Sequence, residues 1–473
     1  MKKEILRINN LNYHYSLMNK LENISLCILE GECVGFLGLT YSGKDLLVQL
    51  LDGALEEDMG RSCICIGGQT VTEGKMLQEK VYHIAADNYV IDDWTVAEYI
   101  GLVDCGGLRM LLYEKLLETE VRQYFQDLNL DVDVTRKMRE LTELEKRVVD
   151  LVKAHRKGAR VVIIEDEFEG MDATALEEFA RTMKHVIRDG MAVIVNSYSN
   201  LILSLLSDKY VIFNKGRIVK KCSKSYIRSG GHLERFLMGS EAGIHRRNQE
   251  GFLPENGHDR EIVYQVRKVR LPDGQRKDFA FARGDVITFL VLDRKEKERL
   301  FMTLAGRETA EGIEYVLNGR QYQHVSCDLF IREKVVSVRH LGNREEIFAH
   351  MSVGENLLLP SLCKISSMEY IASSHRMPRI AVENMEMEEE LLQSMEAEEM
   401  GINVLIGITL ERWSIYNPRV LVLFEPFALC DIKGTQIVKD YIKKFAARGI
   451  SVIIVKTREE YVEDISDQII RID

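Results

Sequence analysis

Gly38, Gly43 and Lys44 stand at the spacing G-x-x-x-x-G-K-[ST] in the stretch GLTYSGKDLLVQLLDG, residues 38–53, with Ser42 inside the loop and Asp45 in the last place. Glycines let the backbone wrap around phosphate oxygens with its N–H groups turned inward. A lysine adds a positive charge that reaches the outer phosphates, and a following helix presents the positive end of its dipole. The context suits this chemistry, because GECVGFLG before the loop is an apolar strand ending at Gly38 and the segment after it is an apolar helix. A second group of chemically capable residues closes the run RVVIIEDEFEGMDA, residues 160–173, where Glu165 and Asp166 follow a β-branched strand. Such a strand suits a parallel sheet covered on both faces. Acids at its C-terminal end lie where ligands bind in open α/β sheets.

The elements that must carry these residues occur twice. In the first half, MAVIVNSYSN from Met191 is a further buried strand and KYVIFNKGRIV from Lys209 reads as a closing hairpin. In the second half, FARGDVITFLVLDRKEKERLFMTLAG (281–306) mirrors the strand, loop and helix. PRVLVLFEPFALCDIKG (418–434) mirrors the acidic strand, SVIIVKTREEY from Ser451 mirrors the later strand, and SDQIIRID comes last. A repeat of domain size is the main organisational feature. Between the halves, SEAGIHRRNQEGFLPENGHDR (240–260) is polar, glycine- and charge-rich, without periodicity, and holds Pro254, the first of six prolines. It reads as a linker. The expected domains are residues 1–239 and 261–473.

Bulk properties agree with two globular domains: 473 residues, 46% apolar and 29% charged. The net charge of −11 offers no basic excess to neutralise a nucleic acid, so no nucleic-acid partner is expected. No apolar run is long enough to span a bilayer. The N-terminal MKKEILRINN has two lysines without an apolar core behind them, so an export signal is not expected. The nine cysteines lack C-x-x-C pairs and read as reduced, half-buried thiols; Cys63 and Cys65 alternate with isoleucines as on one strand face. The acidic, methionine-dotted stretch 384–400 reads as a solvated helix with a packed stripe.

The order of these segments resembles the ATP-binding cassette family, and within it the tandem ATPase subunits of ribose, galactose and xylose importers. The resemblance spans nearly the whole chain. It is carried by NNLNYHY and LENISLCILEGE near the start, WTVAEYI (94–100), FAHMSVGENLLLPSL (348–362) and ERWSIYNPRVLVLFEP (411–426). It implies an α/β fold of two tandem phosphate-loop NTPase domains. Each would have a mostly parallel sheet core, an antiparallel β-subdomain near its start and a helical subdomain, expected at 97–157 and 353–414. Cassettes of this family work as face-to-face pairs, each ATP held by the phosphate loop of one and the signature motif of the other. The resemblance therefore implies ATP and Mg²⁺ as ligands and membrane permease subunits as partners, contacted near residues 86–95. It also implies a sugar-binding protein as an indirect partner and a place at the cytoplasmic face of the plasma membrane.

Against the family pattern, many site positions are altered. Tyr15 falls where the family stacks an aromatic on adenine; it reads equally as a surface strand tyrosine. Asp45 replaces the hydroxyl residue that ligates Mg²⁺. A carboxylate can ligate Mg²⁺ through oxygen. It also faces phosphate charge, and like charges ~4 Å apart cost roughly 1 to 4 kcal/mol in wet surroundings. Glu165 stands at the Mg²⁺-binding aspartate and Asp166 at the catalytic glutamate that orients water, each differing by one methylene. The glutamine of the loop that comes next after the phosphate loop in the family aligns near Ala86 or Asp87. The signature maps to residues 141–145, where Thr142 and Glu145 instead spell a helix-capping box. Tyr198 replaces a γ-phosphate-contacting histidine, and Asp172 matches an interdomain aspartate. In the second domain the loop positions, 291–298, contain no glycine and read as a charged turn and helix start, with Lys297 in register. Glu425 keeps the catalytic glutamate, Phe424 replaces the metal-binding aspartate, and Asp431 matches the interdomain aspartate. The signature maps to residues 400–404, and Lys456 or Thr457 stands near the missing histidine. The expected function is an ATP-binding subunit of a sugar-type importer, with ATP at the first-domain site and weak or absent hydrolysis. The alternative is an inactive pseudo-ATPase that regulates or scaffolds a permease. An unrelated phosphate-loop GTPase or kinase leaves the repeat unexplained.

Overall fold

The computed structural model describes residues 3–15, 19–55, 64–71, 74–84, 91–101, 114–165, 168, 171–187, 190–225, 261–307, 312–323, 325–339, 341–342, 346–348, 351–361 and 401–472. The chain divides into two compact units, 1–249 and 250–473. The proposed linker 240–260, the loop around Ala86 and Asp87, the stretch 384–400 and Asp166 lie outside the described residues.

In the first unit, β1 (Glu4–His14) and β2 (Lys20–Leu29) pair antiparallel and are joined by β4 (Ile64–Ile66) and β5 (Gln69–Thr70) in a four-stranded sheet. β2 alternates buried and exposed residues along most of its length, as one covered face requires. The larger sheet has the order β10-β9-β3-β8-β7-β6, from β3 (Cys33–Gly38), β6 (Val81–Ile84), β7 (Val161–Glu165), β8 (Ala192–Asn196), β9 (Lys209–Asn214) and β10 (Arg217–Ser223). All pairs are parallel except β9–β10, a hairpin turned at Lys215 and Gly216, both with positive φ. β3 and β8 are buried at every residue, which accounts for their unbroken apolar runs.

Helices α1 (Lys44–Leu51), α2 (Gly74–Lys80), α6 (Ala173–Val186) and α7 (Asn200–Leu206) join these strands. A separate helical group, α3 (Val96–Gly101), α4 (Glu114–Asp127) and α5 (Glu143–Arg156), covers the span 97–157 expected for the helical subdomain to within one residue at each end. The Thr142 hydroxyl accepts from the Glu145 N–H, and the Glu145 carboxylate accepts from the Thr142 N–H, so this stretch is a capping box that starts α5.

The second unit repeats the plan. β11 (Ile262–Arg270), β12 (Arg276–Ala282), β14 (Glu314–Leu317) and β15 (Arg320–Tyr322) form an antiparallel sheet. The parallel sheet has the order β16-β17-β18-β13-β19, from β13 (Val286–Val291), β16 (Val335–Val338), β17 (Val420–Phe424), β18 (Ser451–Lys456) and β19 (Gln468–Ile472). The helices are α8 (Arg294–Leu304), α9 (Cys327–Arg332), α10 (Val353–Leu358), α11 (Ile402–Tyr416) and α12 (Ile432–Ala447). Strand registers fix the equivalences: Cys33 pairs Val193 in the first unit and Val286 pairs Val452 in the second. Gly31 to Gly53 and Gly284 to Gly306 have the same length, which aligns Lys44 with Lys297 and Asp45 with Glu298.

Candidate phosphate site and its eroded counterpart

β3 delivers the first-unit loop and α1 receives it. Tyr41 and Gly43 both have positive φ, 59° and 99°. A side chain at Gly43 would meet Leu21 Cδ2 at 3.0 Å and Gly216 Cα at 3.1 Å, so the β2 start and the β9–β10 turn press the loop into place. A side chain at Gly38 would collide with Ser42 Oγ, itself buried and without a hydrogen-bond partner. The N-terminus of α1 carries no side-chain cap, which leaves that end without a resident anion of the capping kind. An orphaned buried hydroxyl, two glycines that tolerate no Cβ and an uncapped helix start fit a phosphate ligand. Tyr15, at the end of β1, is 62% exposed and offers its ring to solvent.

Lys44 is fully buried, and its ammonium donates to Asn196 Oδ1 (2.8 Å) and Asp45 Oδ1 (3.0 Å) while lying 3.6 Å from the Tyr198 ring centroid. Asn196 Nδ2 donates to Asp45 Oδ1 (2.9 Å) and the Tyr198 hydroxyl to Asp45 Oδ2 (2.8 Å). Burial pushes the Asp45 carboxyl pKa up, but the Lys44 charge and the hydrogen bonds from Asn196, Lys44 and Tyr198 outweigh it and hold it below its usual value. Glu165, at the end of β7, faces a different group: His83 Nε2 lies 3.5 Å from Glu165 Oε1, and His83 Nδ1 lies 3.1 Å from Asp52 Oδ2. Burial would lower the His83 pKa, but Asp52 and Glu165 together raise it to about 9. Among the described residues, no group of three or more His, Cys, Asp or Glu side chains is arranged to hold a metal ion. Asp45 and Glu165 have the oxygen donors Mg²⁺ prefers, and each already has a cationic partner.

In the second unit the same positions are filled from within. The residues equivalent to Tyr41–Gly43 are Arg294–Glu296, and they form the first turn of α8. The loop has wound into helix, as the charged, glycine-free sequence anticipates. Asp293 caps that helix, its side chain accepting from the Glu296 N–H at 2.8 Å, so a carboxylate occupies the helix N-terminus. Lys297 is as buried as Lys44, and donates to Glu425 Oε1 (2.6 Å) and Thr457 Oγ1 (2.7 Å). Glu425 Oε1 also accepts from the Thr457 backbone N–H (2.8 Å) and hydroxyl (3.0 Å). Burial raises the Glu425 carboxyl pKa, and the charges of Lys297 and Lys456 with these hydrogen bonds bring it below the usual value. Burial takes Lys456 itself down to about 8, against the pull of Glu425 and Glu460.

Glu298, the counterpart of Asp45, pairs with Arg339, whose guanidinium lies 5.7 Å from the centroid of Phe424, the counterpart of Glu165. A fixed cation therefore stands between the two positions that the family pattern gives to metal ligands. Strand register aligns Tyr198 with Thr457 rather than Lys456, and both contact the loop lysine.

Asp172 and Asp431 have local partners. Asp172 caps α6 through the Ala175 N–H, and Asp431 caps α12 through the Gly434 N–H while accepting from Asn403 Nδ2 at 3.0 and 3.1 Å. Asn403 belongs to the degraded second signature, where Gly401 precedes α11. Sequence reasoning missed Asn196, His83 and Arg339. The one signal for Asn196 is a polar residue ending the apolar run AVIVN, at a position where the second unit has Val455.

The ABC transporter family profile matches residues 21–168. Over most of its length the chain is similar to the ribose import ATP-binding protein RbsA 1 of Rhizobium meliloti, 23% identical across 99% of this chain and 92% of the relative. It is also similar to ribose import ATP-binding protein RbsA 2 of Rhizobium johnstonii, 21% identical across 98% and 90%. The galactose/methyl galactoside import ATP-binding protein MglA of Fusobacterium nucleatum is 19% identical across 99% and 93%. With the repeated sheet plan and a glycine-bounded loop inside the matched span, the chain is similar to ATP-binding cassette proteins over nearly its whole length.

Proposed function

We propose that the chain is the ATP-binding subunit of a carbohydrate importer, that it holds one ATP at the first-unit loop, and that its hydrolysis is weak or absent. The observation that carries this reading is the contrast between two equivalent lysines. Lys44 follows a glycine-bounded loop with an uncapped helix start, whereas Lys297 lies inside a helix capped by Asp293 and is paired with Glu425. In this reading Gly38, Ser42, Gly43 and Lys44 hold the phosphates, Tyr15 stacks on the base, and Asp45 and Glu165 hold Mg²⁺. Bound Mg²⁺ would draw charge from the phosphate oxygens. Asp166 takes the place of the group that orients water, with a side chain shorter by one methylene than the family's glutamate. A displacement of that size lowers the rate steeply. Glu425, which has the family's catalytic residue type, is an ion-pair partner of Lys297 and contributes no chemistry.

The relatives named for ribose and galactose import support the importer context, with membrane permease subunits as partners, a sugar-binding protein as an indirect one, and a peripheral place at the membrane's cytoplasmic face. Among the described residues no helix is long and apolar enough to cross a membrane. The self-paired Lys44 favours the second reading, a pseudo-ATPase that regulates or scaffolds a permease. Isothermal titration with ATP and Mg²⁺ tests both, with Lys44→Ala and Asp166→Asn alongside and phosphate release followed in the same samples. The expected result is one ATP per chain, lost in Lys44→Ala. Phosphate release that Asp166→Asn abolishes selects the ATPase, and none above background selects the pseudo-ATPase. Two ATP per chain, or none at millimolar ATP, overturns the proposal.

A further inference from the structure

We infer that Asn196 and Tyr198 hold Asp45 as an internal counter-anion on Lys44, so that the first-unit loop selects metal-bound nucleoside triphosphate over the free form; this rests on the proposed ATP site. Asn196 bridges the pair, accepting from the Lys44 ammonium and donating to Asp45 Oδ1, while the Tyr198 hydroxyl fixes Asp45 Oδ2. Both Asp45 oxygens are thus engaged, Oδ1 by Lys44 and Asn196 and Oδ2 by Tyr198. The bridge is specific to this unit: the residue equivalent to Asn196 is the buried Val455, and the counterpart of Asp45, Glu298, turns to Arg339 instead of Lys297.

A triphosphate arriving without a cation meets a lysine already neutralised and a carboxylate of its own sign. A triphosphate that carries a divalent cation brings a group that attracts the same carboxylate, so binding and release of Lys44 become one event. Asp45 can make that exchange because its side chain is 39% exposed, while Lys44 is sealed. Asn196 is a specificity-determining residue that acts through Asp45.

The test is isothermal titration with ATP, in excess Mg²⁺ and in EDTA, on the full chain and on Asp45→Asn, Asn196→Val and Tyr198→Phe, with circular dichroism verifying the fold of each. In the unaltered chain, Mg²⁺ is expected to tighten binding roughly tenfold or more, the ratio that about 1.4 kcal/mol of charge repulsion gives. Asp45→Asn should tighten metal-free binding by about the same factor and shrink the metal effect to below about threefold. Tyr198→Phe, which removes one hydrogen bond, should tighten metal-free binding by about two- to threefold, and Asn196→Val, which removes two, by about fivefold, each keeping most of the metal effect. Equal affinity with and without Mg²⁺ in the unaltered chain, or an Asp45→Asn variant unchanged in EDTA, overturns this inference and leaves the ATP site standing. Absence of binding in every variant and condition overturns the ATP site itself, and the inference with it.

Discussion

Replacing Glu425 with alanine removes one half of the buried ion pair at the start of α8 in the second unit. Lys297 has no exposed side-chain surface and Glu425 keeps 13%, so solvent does not screen this pair as it does a surface one. The variant removes the Glu425 charge from the ammonium, which keeps Thr457 Oγ1 at 2.7 Å, and deprives the Thr457 N–H of the Glu425 acceptor. Breaking a buried pair from one side costs about 3–5 kcal/mol, because the remaining charge is stranded. Replacing both partners with apolar side chains, Lys297→Met with Glu425→Leu, removes the stranded charge but still leaves the Thr457 N–H without that acceptor, so it is expected to recover most but not all of the loss. The chain has two tryptophans, Trp94 in the first unit and Trp413 in the second. Urea denaturation followed by fluorescence in a Trp94→Phe background therefore reads the second unit. With a slope of about 3 kcal/mol per molar urea, the single variant should lower the midpoint by roughly 1 M or more, and the double variant should recover most of it. A single variant that shifts the midpoint by less than about 0.3 M, or a double variant as unstable as the single, would refute the pair as the support of this site.

Gly43→Ala forces a β-carbon onto a residue with φ of 99° and into Leu21 and Gly216, and should cost about 1–2 kcal/mol while weakening nucleotide binding. The equivalent Glu296→Ala lies in a helix and should be within about 0.5 kcal/mol of neutral, both read by thermal melting with and without Mg²⁺ and ATP. Thr142→Ala removes the cap of α5 and should cost about 1 kcal/mol by denaturation, with ATP affinity unchanged. The His83 pKa, about 9 when folded against 6.5 for the free side chain, makes its stabilisation complete below about pH 6.5 and lost as pH rises through 9. Thermal melts between pH 6 and 10 should show a fall that His83→Gln lacks; parallel profiles would count against the Asp52–His83–Glu165 chain.

Much of the architecture was legible because it depends on local periodicity. Unbroken apolar runs marked β3, β7, β8 and their counterparts as covered parallel strands. Thr142 and Glu145 spelled a capping box within four residues, and the missing glycines between Val291 and Glu298 announced a helix start. The charge partners were not legible, because register and not sequence distance brings them together. Asn196 is 151 residues from Asp45, and Glu425 is 128 from Lys297. His83 sits in the short strand VYHI, where nothing local indicates that Asp52 and Glu165 flank it. A family pattern assigned Asp45 and Glu165 jointly to a metal, yet said nothing of the cations that each has acquired.

The two equivalent lysines are both buried, and a buried ammonium requires an anion, which in each unit is a carboxylate. The two units draw that carboxylate from different places. In the second unit it comes from the end of β17, and the Thr457 backbone N–H and hydroxyl clamp it. Displacing it would strand both the lysine and a backbone donor. In the first unit it comes from the neighbouring residue on α1, is 39% exposed, and is held, among the described residues, by the side chains of Lys44, Asn196 and Tyr198. Rotating Asp45 away strands no backbone group, and solvent, a cation or a phosphate can take up what it leaves. The same compensation is therefore permanent in one unit and exchangeable in the other, which is the physical basis for proposing a single nucleotide at the first.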